Sequence, residues 1–163
     1  MKWDFINDLQ RIYGYMDHLE EQTIQRDYPM IWERIHATSC AQMGRMLAEM
    51  RSVDTEQAAL ACALHDIGRW VSGRQYDHAP KGEEPVRRFL VEGNVTEETR
   101  EQIVQAVINH SKKDQIGTAL EEIVKDADIL DCYWHGEEIS KEYHIARLQQ
   151  ALKDLGINPL KEG

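Results

Sequence analysis

The sequence predicts an all-α fold, a single-domain helical bundle with about six to seven helices. Three observations support this fold class. Apolar residues recur at intervals of three and four along most of the 163-residue chain. Helix-start signals precede several of these segments, as in Asp54-Thr-Glu-Gln57. No alternating apolar and polar run of useful length indicates a β-strand, and no repeat or low-complexity segment marks a linker.

The first two predicted helices are separated by Pro29. We expect the first from Trp3 to roughly Gln25 and the second after the proline. The apolar stripe of the first helix contains Phe5, Ile6, Leu9, Ile12, Tyr13 and Met16. The stripe of the second contains His36, Cys40, Met43, Leu47 and Met50. We therefore expect His36 to point toward the core.

The third predicted helix ends on two polar residues. It opens at the capping box Asp54-Thr-Glu-Gln57 and continues into Ala61-Cys-Ala-Leu-His-Asp-Ile-Gly-Arg69. His65 and Asp66 thus close an otherwise apolar helical segment, and both side chains need a partner.

The segment after this doublet is expected to hold a loop and a short helix. Gly73 to Gly82 reads as a loop that contains His78. A helix from about Glu83 to Val91 follows and stops before Gly93-Asn94.

Three more helices are predicted in the second half of the chain. Thr96 is expected to cap the first, whose stripe contains Ile103, Val107 and His110. Thr118-Ala-Leu-Glu121 opens the second, which we expect to reach Trp134. Its apolar stripe contains Leu120, Ile123, Ala127, Leu130 and Trp134, and it carries the carboxylates of Asp126, Asp128 and Asp131. A last helix is expected from about Glu137 to Leu155, before a peripherally packed tail that contains Pro159.

The histidines and aspartates on these predicted buried faces favour a metal site. Burying several such side chains without partners would cost more free energy than a marginally stable domain can carry. Imidazole nitrogens and carboxylate oxygens are ligands for divalent Mn, Fe, Co, Ni, Zn or Mg. No cysteine lies at the spacing of a zinc knuckle. We therefore expect nitrogen and oxygen ligands rather than thiolates.

The order of these residues resembles the HD-domain superfamily of metal-dependent phosphohydrolases. An early histidine is followed by the run Leu-His-Asp-Ile-Gly68 and then by Lys125-Asp-Ala-Asp-Ile-Leu-Asp131, on successive predicted helices. The resemblance covers about Arg34 to Asp131, which is most of the chain.

This resemblance implies a domain organisation and a set of metal ligands. Residues 1–163 would form one small HD-type domain, with 1–28 as an N-terminal helix and 137–163 as a C-terminal helix and tail. The implied metal ligands are His36, His65, Asp66 and Asp128.

Asp128 is taken from three neighbouring aspartates because the last ligand of the family is the aspartate of an Ala-Asp-x-Leu pattern. The helical wheel, at about 100° per residue, instead places Asp131 near the middle of the apolar stripe and Asp128 at its edge. An edge position suits a ligand that reaches a cleft, and we interpret Asp131 as an acceptor for a ligating imidazole. A solvated face or a helix-capping role is the alternative for Asp126 and Asp131.

Two further histidines match positions that many branches of the superfamily occupy. His78 lies in Tyr-Asp-His-Ala-Pro-Lys-Gly82 and His110 in Ile-Asn-His-Ser111. They would hold a second metal or bind substrate phosphate, although an ordinary surface histidine also explains His78. Six ligands would permit two ions bridged by Asp66. The sequence leaves one and two ions open.

The chain departs from some branches of the superfamily. After the doublet it has Ile67, Gly68, Arg69 and Trp70, where the deoxynucleoside-monophosphate nucleotidases and the guanosine-polyphosphate hydrolases place a catalytic carboxylate. It also lacks the Gly-Tyr-Pro segment of the cyclic-dinucleotide phosphodiesterases. The small single-domain HD hydrolases remain.

The resemblance implies hydrolysis of a phosphoester or phosphoanhydride by a metal-activated water, with Asp66 in the catalytic centre. Arg69, Lys81 and Lys112 are candidate cations for the phosphoryl oxygens, because each follows a proposed ligand closely. Arg34 belongs to the same group. Ordinary solvated surface charges explain all four equally well.

The charge and the apolar runs of the sequence limit the partners that the protein is expected to bind. A formal net charge of −10 opposes binding of a nucleic-acid polymer, whereas a small phosphorylated substrate, including a nucleotide, stays compatible with a metal and local cations. The longest apolar run, Ala58 to Leu64, is too short to span a bilayer. With no signal-peptide pattern in Met1-Lys-Trp-Asp-Phe5, we expect a cytoplasmic protein that binds no membrane. Cys40, Cys62 and Cys132 read as reduced core thiols.

Three functions remain open at this point. The first is a metal-dependent phosphohydrolase acting on a nucleotide or another small phosphorylated metabolite. The second is a di-iron oxygenase that resembles inositol oxygenase of the same superfamily. The third is a non-enzymatic module whose metal locks the helices together while a partner or nucleotide is sensed.

Overall fold

The computed structural model describes residues 5–158, and within them the fold is all α. Seven helices have ten or more residues and two are shorter. In chain order they are α1 (Phe5–Glu20), α2 (Met30–Arg51), α3 (Thr55–Leu64), α4 (Ile67–Ser72), α5 (His78–Lys81), α6 (Glu83–Glu92), α7 (Glu97–Asn109), α8 (Ala119–Trp134) and α9 (Glu142–Asp154). The predicted fold class is confirmed.

Helix α1 is shorter than the sequence predicts. It ends at Glu20 rather than near Gln25, because Arg26 and the backbone N–H of Gln22 both donate to the Leu19 carbonyl and turn the chain. Ile6 is exposed and Ile12 is fully buried, so the buried stripe is narrower than the predicted one. Trp3 lies outside the described residues.

Helices α2 and α3 form the centre of the bundle together with α8. Helix α2 begins directly after Pro29, as predicted, and buries His36 among apolar side chains. Met50, expected on the same buried stripe, is 59% exposed because the stripe drifts around the helix. Helix α3 is capped by Asp54, whose carboxylate accepts from Gln57 N at 2.8 Å.

The segment after α3 is more helical than expected. The chain turns at His65 and Asp66, re-enters helix as α4, and then forms the four-residue helix α5 where the sequence predicts only a loop. Gly68 permits this arrangement, because a Cβ there would collide with the carbonyl of His78 and would lie 2.6 Å from Gly82 N. The prediction of a plain loop around His78 was therefore wrong.

The second half follows the predicted order. Thr118 caps α8 through its hydroxyl, which accepts from Glu121 N at 3.3 Å. Thr96 occupies the N-cap position of α7 but makes no capping bond, since its hydroxyl donates to Thr99 Oγ1 instead.

The last helix starts later than predicted. It begins at Glu142 rather than Glu137, because the chain turns at Gly136, which has a φ of +86°, and has no regular secondary structure through 137–140. This irregular stretch lines the cavity at the polar end of the bundle. The predicted tail around Pro159 lies outside the described residues. Among residues 5–158, no helix combines the length and the apolar character needed to cross a lipid bilayer.

Candidate metal centre

Four histidines from four different helices converge at one end of the core. Each is at least nine-tenths buried. They are His36 within α2, His65 at the end of α3, His78 at the start of α5 and His110 at the end of α7. With Asp66 and Asp128 they form what we call the His-Asp cluster. The second half of α8 supplies Asp128.

The Nδ1 atom of every cluster histidine is held by an acceptor. The contacts are His36 with Asp131 Oδ2 at 2.5 Å, His65 with Cys62 O at 2.7 Å, His78 with Gln75 O at 2.6 Å and His110 with Val107 O at 2.6 Å. An acceptor at Nδ1 assigns the hydrogen to that atom and leaves the lone pair on Nε2. Each imidazole therefore presents a metal-ligating nitrogen to the interior of the cluster.

These Nε2 atoms form two close pairs. His36 Nε2 lies 3.2 Å from His65 Nε2, and His78 Nε2 lies 2.9 Å from His110 Nε2. Two lone pairs at such distances repel unless a proton or a metal ion lies with them. The geometry of the rings thus favours a positive charge between the Nε2 atoms of each pair.

Asp66 lies between the two histidine pairs. Its Oδ2 is 3.3 Å from Nε2 of both His36 and His65, whereas its Oδ1 is 3.0 Å from His78 Nε2 and 3.4 Å from His110 Nε2. Buried Oδ2 accepts no hydrogen bond from the described residues, although Arg69 Nη2 lies 2.5 Å away as an ion pair. A buried carboxylate oxygen without a donor is costly, and a metal ion would satisfy it.

Asp128 completes the first pair. Its Oδ1 lies 3.2 Å from His36 Nε2 and 3.6 Å from His65 Nε2. Its Oδ2 accepts from Lys113 Nζ at 2.5 Å. One oxygen thus faces the histidines while the other is fixed by an ammonium group.

The two neighbouring aspartates have different surroundings. Asp131 is fully buried behind His36, so a solvated position is wrong for it. Asp126 is 5% exposed and pairs with Arg51 and Arg147, which also excludes a solvated face. Arg51 and Arg147 only partly offset the burial of Asp126, so its pKa is raised.

The electrostatics of the cluster favour a cation. Burial opposes the ionisation of Asp66, but the positive charges of His65 and Arg69 hold its pKa well below the usual range. Burial opposes the ionisation of Asp128 as well, but the charge of Lys113 holds that pKa well below the usual range. In return, Asp66 and Asp128 overcome the burial of His65 and raise its pKa to about 9. The carboxylates therefore stay ionised and attract positive charge.

His36 and His110 respond in opposite directions. Burial disfavours the charged form of His36, but hydrogen bonds to the carboxylates of Asp128, Asp131 and Asp66 outweigh burial and raise its pKa well above the usual value. At His110 burial dominates and lowers the pKa to about 4, so this imidazole is neutral and ready to ligate.

Taken together, the residues fit a divalent metal ion with nitrogen and oxygen ligands. Ligand atoms of His65, Asp66 and His110 lie within 4.8 Å of one another, and so do those of a second group around His36, His65 and Asp128. The two groups share His65.

A cavity of about 400 Å³ opens directly onto the cluster. Its floor contains His36, Asp66, His78, His110 and Asp128. Its walls contain Tyr28, Trp32, Lys113, Lys141, Tyr143 and His144. The end of the bundle that carries the His-Asp cluster is therefore accessible to a small molecule.

Sequence comparison agrees with this geometry. The family model described as "HD domain" matches residues 34–133, which is more than half of the chain. The chain belongs to the HD-domain family. This HD domain is also 29% identical over 129 residues to the Bacillus subtilis (strain 168) protein named "Putative phosphohydrolase YueE", across 69% of this chain and 70% of that protein. No solved structure matches it.

Arg69 of the HD domain lies beside Asp66, and other side chains hold its guanidinium in place. Its guanidinium donates twice to Glu33, at 2.7 Å each, and once to Gln75, also at 2.7 Å. Its Nη2 also lies 2.5 Å from Asp66 Oδ2, as an ion pair without hydrogen-bond geometry. Arg69 lines the cavity, but these groups already hold its charge beside Asp66.

Lys113, rather than Lys112, reaches the cluster. Lys112 is exposed and donates to Asn109 Oδ1 at 2.9 Å, so the structure does not place it at the site. Lys81 is exposed as well. Arg34 pairs with acidic side chains of α1 and does not line the cavity.

Cys40 lies closer to the cluster than a core thiol was expected to. Its Sγ is 3.6 Å from Nδ1 and 3.8 Å from Nε2 of His36, because residues four positions apart on a helix lie on the same face. Burial raises the pKa of the Cys40 thiol to about 12, so it is neutral beside the ring.

Glu33 and Lys113 are site residues that the sequence predictions did not include. Glu33 stands three residues before His36 on the same helical face, and this spacing could have revealed it. Lys113 lies in a loop, where no periodicity distinguishes it from Lys112.

Proposed function

We propose that this HD domain is a metal-dependent phosphohydrolase for small phosphorylated metabolites. Membership of the HD-domain family and the similarity to a protein named as a phosphohydrolase support the general reaction. The observation that carries the proposal is the set of four Nε2 atoms directed at Asp66 and Asp128, below an open cavity. We also propose that residues 1–163 act as one domain.

The six cluster residues would hold two ions. His36, His65 and Asp128 would bind the first, and His78 and His110 the second. Asp66 would bridge them, because each of its oxygens faces one histidine pair. Bridging carboxylates are typical of two-metal sites, in which the ions lie about 3.5–4 Å apart.

A divalent ion bound there would supply a water of near-neutral pKa and a Lewis acid for a phosphoryl oxygen. The protein contributes the surroundings of this chemistry. Asp131 fixes the ring of His36, and Arg69 fixes the carboxylate of Asp66. Asp66 is the catalytic carboxylate in this proposal, because it touches both halves of the cluster.

Lys113 is the cation that we assign to the substrate. An ammonium group has three N–H donors. Lys113 Nζ donates one hydrogen bond to His110 O at 3.1 Å and another to Asp128 Oδ2. The third has no partner within residues 5–158, and the side chain lines the cavity. Lys113 would donate it to a phosphoryl oxygen and stabilise charge that develops in the transition state.

The cavity favours a small substrate. Its volume falls within the range of about 300–1,000 Å³ that is common for small-molecule sites. Tyr28 and Trp32 contribute aromatic side chains to its lining, and Lys141 and His144 contribute polar groups. A nucleotide or another phosphorylated metabolite suits this combination, whereas the net charge of −10 opposes a nucleic-acid polymer.

A phosphate-release screen tests the proposal. Purified protein loaded with Mn²⁺, Co²⁺, Fe²⁺, Ni²⁺, Zn²⁺ or Mg²⁺ is assayed on nucleotides and other phosphorylated metabolites. At least one combination should release phosphate, and His65→Ala and Asp66→Ala should abolish it. Folded, metal-loaded protein that releases no phosphate from any substrate contradicts the proposal.

A di-iron oxygenase is the second candidate, because six nitrogen and oxygen ligands around a bridging carboxylate also suit two irons. Aerobically purified protein would then retain two tightly held irons, absorb visible light and consume oxygen with its substrate. Mn²⁺- or Co²⁺-dependent phosphate release without oxygen uptake favours the hydrolase instead. The open cavity argues against a metal that serves only to lock the helices.

A further inference from the structure

Arg147 of α9 uses its whole guanidinium group to join two other elements. Its side chain is only 11% exposed. Its five donors are matched by five hydrogen bonds, which run to Lys113 O at 2.6 Å, Gln115 O at 2.8 Å, Glu122 Oε2 at 2.6 Å, Asp126 Oδ1 at 3.1 Å and Glu122 Oε1 at 3.3 Å.

The acceptors lie on both sides of the Lys113–Asp128 ion pair. Two are backbone carbonyls of the connection 110–118 between α7 and α8, which we call the Lys113 loop. Two are side chains of α8, Glu122 and Asp126, one turn apart on the same face. Asp128 follows Asp126 by two residues. Arg147 therefore fixes the loop against the helix that carries the proposed ligand.

The same network holds the Lys113 loop at further points. Lys125 is 1% exposed and donates to Gln115 O at 2.8 Å and to Glu122 Oε1 at 3.2 Å. Gly117 N donates to Glu122 Oε1 at 2.9 Å. The loop is thus fixed through its backbone, and the side chain of Lys113 lines the cavity.

We infer that Arg147 is a positioning residue that sets the contact between Lys113 and Asp128. This inference rests on the proposed function, in which Asp128 ligates a metal and Lys113 faces the phosphoryl group. Arg147 does not line the cavity, so its influence passes through the Lys113 loop. Without its bonds, Lys113 would lose its fixed distance to Asp128 Oδ2, and Asp128 would lose the donor that orients Oδ1 toward the histidines.

A lysine cannot replace this arginine. Lysine has three donors on one nitrogen, whereas Arg147 forms its five bonds in the plane of a rigid fork. We therefore expect Arg147→Lys to keep the charge and the fold, but to restore little of the contact between Lys113 and Asp128 that Arg147→Gln loses.

The first test measures Mn²⁺ affinity by calorimetry, with no substrate present. Arg147→Gln and Lys113→Gln should each weaken Mn²⁺ binding by roughly 10-fold. This is the lower end of the loss that is typical when a group that orients a metal ligand is removed. The double variant should bind no more weakly than Lys113→Gln alone, because both changes remove the same contact. Wild-type affinity in Arg147→Gln, or losses that multiply in the double variant, would overturn the inference. If Arg147→Gln does not fold, Arg147→Lys takes its place in this cycle.

Arg51→Gln is the matched control. Arg51 also pairs with Asp126, at 2.8 Å, but its other partner is Asp154 and it makes no bond to the Lys113 loop. This variant should lower the thermal midpoint and leave the Mn²⁺ affinity within twofold of wild type, a margin of roughly 0.4 kcal/mol. An equal loss of Mn²⁺ affinity in Arg51→Gln would assign the effect to the stability of α8 and contradict positioning by Arg147.

A second readout needs neither metal nor activity. In the metal-free protein, amide hydrogen exchange in residues 113–117 should be faster in Arg147→Gln than in wild type or Arg51→Gln. Unchanged exchange in this segment would contradict the inference. Absence of phosphatase activity in all proteins would reject the proposed function alone, because the metal and exchange measurements do not depend on turnover.

Discussion

Asp131 Oδ2 lies 2.5 Å from His36 Nδ1, and both side chains are buried. A carboxylate behind a ligating imidazole fixes the ring and its tautomer and makes Nε2 a stronger ligand. Asp131→Asn should therefore weaken metal binding by roughly 10- to 100-fold while the protein stays folded. Calorimetric titration with Mn²⁺ measures this change.

Asp154→Asn is the control for this substitution. Asp154 pairs with Arg51 at 2.8 Å and has no contact with the His-Asp cluster. Its replacement should leave Mn²⁺ affinity unchanged. Equal affinities in wild type and Asp131→Asn would show that the carboxylate behind His36 has no part in metal binding.

Glu33 and Arg69 form a buried bidentate ion pair, with both hydrogen bonds at 2.7 Å. Removing Glu33 leaves the buried charge of Arg69 paired with Asp66 alone, and breaking a buried ion pair in this way is strongly destabilising. We expect Glu33→Gln to lower the free energy of unfolding by about 3 kcal/mol, as measured by urea denaturation.

The exposed pair between Glu84 and Arg88 provides the comparison, because it has the same kind of groups at the surface. Glu84→Gln should change the stability little, since solvent screens the pair. Equal effects of Glu33→Gln and Glu84→Gln would contradict a structural role for the buried pair.

Gly68 brings α5 against α4. A Cβ at this position would collide with the His78 carbonyl and would lie 3.0 Å from Gly82 Cα. Gly68→Ala should therefore displace His78 from His110, cost roughly 1–3 kcal/mol of stability and reduce the metal stoichiometry toward one ion. Metal analysis after equilibrium dialysis and urea denaturation measure the two effects.

Gly14 is the matched glycine for this test. It lies within α1, and a Cβ there would meet nothing within 4 Å. Gly14→Ala should raise the stability by about 0.5–1 kcal/mol, since alanine is the better helix former. Full metal binding by Gly68→Ala would contradict the steric argument.

Glu122 gives the stability a dependence on acidic pH. Partial burial raises its pKa, but hydrogen bonds from Arg147 and Gly117 N, with the help of Lys125, outweigh burial and lower the pKa from its usual value. A carboxylate with a lowered folded-state pKa stabilises the fold above its unfolded pKa of about 4.3 and loses this contribution as the pH falls through the folded value.

The stability difference between wild type and Glu122→Gln should therefore stay constant above about pH 5 and shrink below about pH 4.3. Urea denaturation at a series of pH values measures it. A difference that is the same at acidic and neutral pH would contradict the assigned pKa shift.

Much of the fold could be predicted because local signals agree with the tertiary structure. The capping residues Asp54 and Thr118 start α3 and α8 as the sequence indicates, and Pro29 starts α2. The errors occur where tertiary contacts override local preference. Arg26 ends α1 early, and the close approach of α5 to Gly68 makes a helix from an expected loop.

The proposed ligand positions follow from motif order, but their surroundings do not. Periodicity placed His36 and His110 on buried faces, and both are buried. The partners of Arg69 and the choice of Lys113 over Lys112 depend on loop geometry and on contacts between distant residues, which no single-sequence pattern encodes. The five bonds of Arg147 likewise join three separate parts of the chain.

The two-ion proposal requires Asp66 to bridge two divalent ions, one at each histidine pair. Anomalous diffraction from Mn²⁺-loaded crystals measures this arrangement. Two peaks are expected about 3.5–4 Å apart, each within bonding distance of two Nε2 atoms and of one Asp66 oxygen. Loaded crystals with a single peak, or with no peak, among His36, His65, Asp66, His78, His110 and Asp128 would overturn the two-ion proposal.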